Sequence, residues 1–314
     1  MFALCIAWVS HVQAQTTDPP PRGADGKVDF QGVWSTAWAT ALERPPGTSG
    51  LVITQDEAQI LVKSAFGVLD ERDPLSPLES LDFGRAMTIR GEIRSSLIVD
   101  PENGRLPYTA AALKSRQPPP VPSFDGPEGR PASERCLGTA NAAAPFMTLP
   151  AGNIKQIIQT KDYLVVLSET FARLRIIPLG DAAPGRADQG RGRWDGDAIV
   201  VETRGFQPDD RVRATQFVNF AISPNTVITE RFERTRPDEI LYSYTVSDPD
   251  LYLRPWRAEM AFAKSPQRLY EWGCQEGNYA LTNMLRAARL EESEATRRSS
   301  SNNRKRPPAA IIRR

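Results

Sequence analysis

The sequence predicts a mainly β fold, in which successive antiparallel strands form a meander barrel or a sandwich with a few short helices. Beyond residue 145, apolar residues alternate with polar ones over short runs, which is the period of half-buried strands. Turn-forming pairs such as Asp195-Gly196 separate these runs and favour tight hairpins. About eight to ten strands are expected, and so many in sequence favour closure because open sheet edges pair with other chains.

The first half of the chain is predicted to be irregular, because several of its prolines form tracts that favour extended, solvated backbone. A first short strand is expected over residues 30–35. A helix is expected over 54–65, since Thr54 can cap it and Glu57 stands three residues later as a capping-box partner. The other predicted features are a short strand over 96–99, a turn over 100–104 and a long loop over 117–133.

The second half contains most of the predicted strands, in pairs joined by short turns. Lys161-Asp162 joins one hairpin and Pro237-Asp238 joins another. The predicted strands cover residues 154–160, 163–169, 174–179, 198–203, 227–234, 240–247 and 256–262. A last strand is expected through Tyr270, Trp272 and Cys274. A helix is expected over 281–294.

The predicted organisation is a signal peptide at 1–14, a flexible leader at 15–29, one β-rich domain at 30–296 and a disordered basic tail at 297–314. The length of 314 residues and the hydrophobic content of 40% suffice for a sizeable core. The net charge is +1, but the tail holds seven basic residues and no acidic ones, which leaves the body mildly acidic. Such a tail is either a solvated extension or a contact for phosphate or anionic lipid.

The first 14 residues indicate export. Residues 2–9 are apolar, and Val12-Gln13-Ala14 supplies the small-x-small end of a secretory signal peptide, with Gln15 as the start of the mature chain. The positive segment of such a signal is missing, so either the true start lies upstream or the signal is weak. A periplasmic or secreted location is predicted. No integral membrane segment is expected, because no run reaches the roughly 20 apolar residues of a span.

The single histidine of the sequence, His11, lies inside the predicted signal peptide. A mature chain without histidine cannot build the usual Ser-His-Asp or Cys-His catalytic groups. It also lacks the imidazole on which most zinc, copper and non-haem iron sites depend. The sequence therefore predicts no metal site and no cofactor.

Two cysteines, Cys136 and Cys274, remain after removal of the predicted signal peptide. In an oxidising compartment they are expected to form one disulfide. This bond would close a loop of more than 100 residues and stabilise the fold by about 4–5 kcal/mol in the chain-entropy model. Two buried free thiols are the alternative.

Several short blocks together resemble a widespread, largely uncharacterised family of exported bacterial β-rich proteins. The blocks are Ile98-Val99-Asp100-Pro101, Gly104-Arg105-Leu106-Pro107-Tyr108, Glu134-Arg135-Cys136, Gln156-Ile157-Ile158-Gln159-Thr160, Arg175-Ile176-Ile177-Pro178-Leu179, Gly192-Arg193-Trp194-Asp195-Gly196-Asp197, Arg254-Pro255-Trp256 and residues 270–279. The resemblance implies an exported β-rich domain and no particular activity. At the level of fold, Gly32-Val33-Trp34 is similar to the Gly-x-Trp that opens lipocalins, which favours a barrel of lipocalin or calycin type.

The chain departs from that family at two places. Ser168-Glu169 stands where the family often has His-Glu, and Cys274-Gln275-Glu276 stands where it often has Cys-His-Glu. If those histidines bind metal or transfer protons in the relatives, this chain has lost that chemistry; the alternative is that they were never catalytic.

Without histidine, proton transfer would fall to carboxylates, tyrosines or lysines. Glu169 and Glu276 are the candidate catalytic residues, because strand parity predicts that both point inward, Glu169 on the face of Tyr163, Val165 and Leu167. A structural ion pair between Glu169 and Arg175 is the alternative. The candidate ligand-binding residues are Tyr163, Arg175, Arg254, Trp256, Trp272, Asn278 and Tyr279, with a guanidinium–indole stack of Arg254 on Trp256 as one possible arrangement.

Three functions are compatible with the sequence. The first is a barrel that binds a small apolar or aromatic molecule, with no nucleic acid partner. The second is a metal-independent lyase, isomerase or hydrolase that uses Glu and Tyr side chains as acids and bases. The third is an interaction module of the cell envelope. The sequence leaves open whether the protein is an enzyme.

Overall fold

A computed structural model describes residues 18–66, 85–115, 124–130, 135–136, 144–148, 152–183, 190–206, 212–213, 219–271, 273 and 279–304. The strands are β1 (Gly32–Ser35), β2 (Thr88–Ile89), β3 (Glu92–Ile93), β4 (Ile98–Asp100), β5 (Ile154–Gln159), β6 (Tyr163–Ser168), β7 (Arg173–Pro178), β8 (Arg191–Asp195), β9 (Ala198–Thr203), β10 (Val212–Arg213), β11 (Phe220–Ala221), β12 (Val227–Arg236), β13 (Glu239–Ser247) and β14 (Trp256–Lys264). The helices are α1 (Gln55–Phe66), α2 (Ala110–Ser115) and α3 (Tyr279–Arg304).

One large sheet dominates the fold, with the strand order β7-β6-β5-β1-β14-β13-β12-β9-β8 and with β4 paired to the N-terminal part of β14. Each neighbouring pair is antiparallel. The two ends meet where Leu179 forms a parallel bridge to Gly192 and the Gly180 amide donates to the Gly192 carbonyl at 2.9 Å. An odd number of alternating strands cannot close through antiparallel pairs alone, which explains the parallel contact. The nearly closed barrel confirms the predicted fold class.

Glycine permits this close approach of the two sheet ends. A Cβ on Gly192 would lie 2.6 Å from Leu179 Cδ2, well inside van der Waals contact. Gly190 has a φ of +81°, and a Cβ there would lie 2.5 Å from Thr203 Oγ1. A side chain at Gly192 would therefore push the closing strands apart, and one at Gly190 would collide with the neighbouring strand β9.

The core lies inside the barrel, because alternate residues of the long strands point inward. In β12 and β13 buried residues alternate with partly exposed ones over almost the whole length. Trp34, Phe232, Tyr242, Trp256 and Phe262 are completely buried. Aromatic rings thus fill much of the interior.

The predicted hairpins are confirmed, since β5–β6, β8–β9 and β12–β13 are joined at the predicted turns. The predicted cap of α1 is also confirmed: the Thr54 amide donates to Glu57 Oε2 at 2.9 Å, and the Glu57 amide donates to Thr54 Oγ1 at 3.3 Å. The hydrogen bonds that Glu57 accepts lower the pKa of its carboxyl to about 2, and the bond from the Thr54 amide has the largest effect. The short antiparallel strand pairs β2–β3 and β10–β11 and the helix α2 were not predicted.

Three features differ from the sequence predictions. Residues 265–271 form no strand, although one was predicted to pass through Tyr270. The segment predicted as a flexible leader is packed where it is described, with Val28 buried and Arg22 paired with Asp197 at 2.6 Å. The C-terminal helix ends at Arg304 instead of residue 294, so it includes residues 297–304 of the segment predicted as a disordered tail, and Arg298 pairs with Glu294 one turn earlier. None of the helices in the described part of the chain is long and apolar enough to cross a membrane.

Candidate ligand site inside the barrel

A short segment that belongs to no strand lies inside the barrel. Residues 144–148, here called the inner segment, are all buried. Two side chains hold its backbone: Arg213 Nε, from the separate pair β10–β11, donates to the Ala144 carbonyl at 2.9 Å, and the Tyr242 hydroxyl of the barrel wall accepts from the Phe146 amide at 2.9 Å. Thr148 Oγ1 in turn donates to the Thr36 carbonyl at 2.8 Å. These three hydrogen bonds attach the inner segment to the residues around it.

The ring of Phe146 lies among aromatic side chains of three wall strands. Its centroid is 6.4 Å from that of Phe232, 5.8 Å from Tyr242 and 6.1 Å from Phe262, at angles typical of tilted and edge-to-face pairs. The guanidinium carbon of Arg175 lies 5.3 Å from the Phe146 centroid. The wall alone thus leaves a place for one aromatic ring, and the chain fills it with its own phenylalanine.

Next to this ring, a buried ion pair joins β7 to β12. Arg175 donates to both carboxylate oxygens of Glu230, at 2.8 and 2.5 Å, and to Thr203 Oγ1 at 3.0 Å. The Tyr242 hydroxyl donates to Glu230 Oε1 at 2.6 Å. Arg175 is 2% exposed and Glu230 is not exposed at all, so solvent does not screen the pair. Burial, followed by the charge of Glu230, raises the pKa of Tyr242 far above its usual range, which keeps its hydroxyl protonated.

Lys155 is a second buried cation on the inner wall. Its Nζ donates to Thr36 Oγ1 at 2.8 Å and to the Asn153 carbonyl at 3.4 Å, and it lies 6.0 and 5.9 Å from the ring centroids of Phe146 and Phe262. No carboxylate in the described part of the chain forms a salt bridge with it. Burial lowers the pKa of Lys155 to about 7, although the charge of Glu169 opposes this change. A substantial fraction of this amine is therefore neutral near pH 7.

Ser168 faces Lys155 across the β5–β6 pair, in direct register. Its side chain is buried, and among the described residues its hydroxyl oxygen has no hydrogen-bond partner. An unsatisfied buried hydroxyl costs about 1–3 kcal/mol, so its retention calls for an explanation. A polar atom of a bound molecule would supply the missing partner.

The structure corrects the prediction for Glu169. In β6 the buried residues are Leu164, Val166 and Ser168. Glu169 is the residue directly after the strand; it is half-buried, and it alternates with the partly exposed residues and not with the buried ones. Its Oε1 accepts a hydrogen bond from the Tyr270 amide at 3.3 Å. The predicted face was wrong because both faces of this strand carry apolar residues, so the sequence pattern does not distinguish them.

The other described candidates are dispersed. Arg175 pairs with Glu230 and not with Glu169. Arg254 forms an exposed ion pair with Asp100 at 3.2 Å, whereas Trp256 is completely buried against the rings of other aromatic residues, so the predicted stack of Arg254 on Trp256 is not formed. Tyr163 is half-buried, and Tyr279 is 73% exposed at the start of α3.

Four of the candidate residues lie outside the described part of the chain. This holds for Trp272, Cys274, Glu276 and Asn278. Cys136 lies in a short turn with a φ of +54° and is half-buried. The disulfide between Cys136 and Cys274 stays a prediction.

Sequence reasoning missed Phe146, Lys155 and Glu230. Glu230 could have been found, because it lies between Ile228 and Phe232 on the inward parity of an alternating strand. No local pattern marks Phe146, whose position depends on the closed sheet around it. In the described ranges, no group of three or more His, Cys, Asp or Glu residues could hold a metal ion.

Comparisons with family models, with curated proteins and with solved structures found no match to this chain. The geometry of the barrel interior is therefore the basis for a proposed function.

Proposed function

We propose that this protein binds a small aromatic molecule inside its barrel, at the place that the Phe146 ring occupies. The single observation that supports this proposal is the insertion of that ring from the inner segment into a layer of aromatic and cationic wall residues. Barrels of this size can hold one small ligand when their own side chains do not fill them. Withdrawal of Phe146 would leave such a space.

The chemistry of the wall limits the kind of ligand. Phe232, Tyr242 and Phe262 offer edges and faces to a flat ring. Glu230 neutralises the charge of Arg175, so a ligand beside this pair does not need to carry a negative charge. The Ser168 hydroxyl and the Lys155 amine remain available for a polar substituent with an acceptor oxygen. A phenol or an aromatic carbonyl compound has this combination.

The other two functions have less support. The enzyme hypothesis placed Glu169 inside the barrel, and that residue lies on the other parity. No observation on the described residues favours an envelope interaction module over a ligand-binding barrel. Export, and membership of the exported family that the sequence blocks resemble, also remain proposals; mature protein that begins at Gln15 in a periplasmic fraction would support export.

Calorimetric titration of the protein with phenol tests the proposed function. Wild type should bind one phenol per chain, and Phe146→Ala should bind it at least about tenfold more tightly, because the ring that competes for the site is removed. Phe124→Ala is the control, since Phe124 is a partly exposed ring that lies under Arg130. Its affinity should equal that of wild type.

Phe146→Ala will also cost stability, by about 3–5 kcal/mol, so its folded fraction is checked by urea unfolding before titration. Absence of saturable binding by wild type contradicts the proposal. An equal affinity of wild type and folded Phe146→Ala also contradicts it, because the ligand would then lie elsewhere. In wild type, nuclear Overhauser contacts between phenol and Phe262 would identify the site directly.

A further inference from the structure

We propose that Lys155 is a covalent attachment site, at which its amine condenses with the carbonyl carbon of an aromatic aldehyde or ketone bound in the barrel. This inference rests on the proposed function and names the ligand class more narrowly. It starts from the contrast between Lys155 and the other lysines: in the described ranges Lys155 is the only buried one.

The surroundings of the amine fit a nucleophile. A protonated ammonium has no lone pair, so attack on a carbonyl requires the neutral form, and a dry apolar site favours that form. Nζ lies about 6 Å from the ring centres of Phe146 and Phe262 and has no carboxylate at salt-bridge distance in the described structure. The shifted pKa of Lys155 agrees with this environment.

The position of the amine fits the proposed ligand. Lys155 Nζ lies over the Phe146 ring, 6.0 Å from its centroid, so an amine that extends by a few ångström would meet a carbonyl carbon attached to a ring at this place. The lysine stem is a flexible four-carbon chain, so the amine can reach such a carbon without movement of the strand. Thr36 Oγ1, at 2.8 Å, holds Nζ within the barrel when no ligand is present.

The reaction needs no further reagent. The nitrogen lone pair attacks the carbonyl carbon, and the carbonyl oxygen takes a proton to give a carbinolamine. The C–O bond then breaks, the two former amine hydrogens leave with the oxygen as water, and a C=N bond remains. Because Ser168 lies opposite Lys155 in register, its hydroxyl is placed to donate a hydrogen bond to the oxygen as charge develops there.

Reductive trapping tests this inference. Wild type is incubated at pH 7 with benzaldehyde and sodium cyanoborohydride, which converts an imine into a stable benzylamine, and the adduct is located by peptide mapping. Lys155 should be labelled at least about tenfold faster than the exposed Lys161, because the neutral fraction of an ordinary lysine near pH 7 is roughly a thousandfold smaller. Phenol should slow the labelling of Lys155 only.

Variants and a second measurement separate the possible outcomes. Lys155→Met should lose the fast adduct, and Lys161→Met should keep it. Labelling of exposed lysines with Lys155 unmodified overturns the inference, and peptide mapping of wild type shows this even if Lys155→Met does not fold. If phenol binds by calorimetry but Lys155 is not trapped, the covalent step fails and the proposed function stands. If phenol does not bind, the proposed function itself fails.

Discussion

Replacing Glu230 with Gln would remove the carboxylate that accepts two hydrogen bonds from the buried Arg175 guanidinium. The guanidinium keeps its charge in an interior from which water is excluded, so the native state bears a desolvation cost that Glu230 now offsets. Loss of one partner of such a pair destabilises a protein by about 3–5 kcal/mol. Glu230→Gln should therefore lower the free energy of unfolding by about this amount.

An exposed ion pair with the same shortest contact distance is the control. Arg231 Nη1 lies 2.5 Å from Asp195 Oδ2, as close as Arg175 lies to Glu230, but the two side chains are 39% and 59% exposed. Water screens this pair, and exposed pairs contribute about 0–1 kcal/mol. Asp195→Asn should change the free energy of unfolding by no more than this, because burial and not distance sets the magnitude.

Urea unfolding, followed by tryptophan fluorescence and far-ultraviolet circular dichroism, measures both variants. The double variant Arg175→Met/Glu230→Leu should recover most of the lost stability, since apolar replacement of a whole buried pair is often neutral or stabilising. A loss below about 1 kcal/mol for Glu230→Gln, or a loss equal to that of Asp195→Asn, would refute the reasoning. Either result would mean that water reaches the pair in the native barrel.

Three further predictions test other parts of the structure. The pKa of Lys155 is about 7 in the native state and 10.5 when unperturbed, so between these pH values the unfolded chain binds more protons than the native chain. The free energy of unfolding of wild type should therefore rise relative to that of Lys155→Met by about 3–4 kcal/mol from pH 7 to 10. Parallel curves of unfolding free energy against pH for the two proteins would contradict this. Gly190→Ala should lower the free energy of unfolding by about 2–5 kcal/mol, because Gly190 has a positive φ and the added Cβ would collide with Thr203. Gly196 also has a positive φ but has open space around it, so Gly196→Ala should lower it by only about 1–2 kcal/mol. Equal losses in urea unfolding would exclude the steric contribution. Peptide mapping without reduction should find Cys136 linked to Cys274, and alkylation of both thiols would disprove the disulfide.

Local interactions explain the parts of the fold that the sequence predicted. A hairpin needs a turn between two strand-forming runs, and Asp195-Gly196 supplies it with a glycine at a φ of +62°. The cap of α1 needs only Thr54 and Glu57, three residues apart. Such features depend on neighbours in the chain, so they can be inferred without knowledge of the fold.

The candidate site was harder to predict, because its residues come from distant parts of the chain. Arg175 and Glu230 are 55 residues apart and meet only across the closed barrel. Phe146 reaches Tyr242, 96 residues later, from a segment that forms no strand. No sequence period marks such contacts.

The sequence by itself determined the mainly β class and the hairpins, since alternation and turn chemistry are encoded locally. Only the tertiary structure decided which face of β6 is inside, because apolar residues occupy both faces and the choice depends on the register with β5 and β7. That register places Ser168 opposite Lys155 and leaves Glu169 on the other parity. The identity of the site was therefore decided by how the sheet closed, since closure determines which side chains lose contact with water.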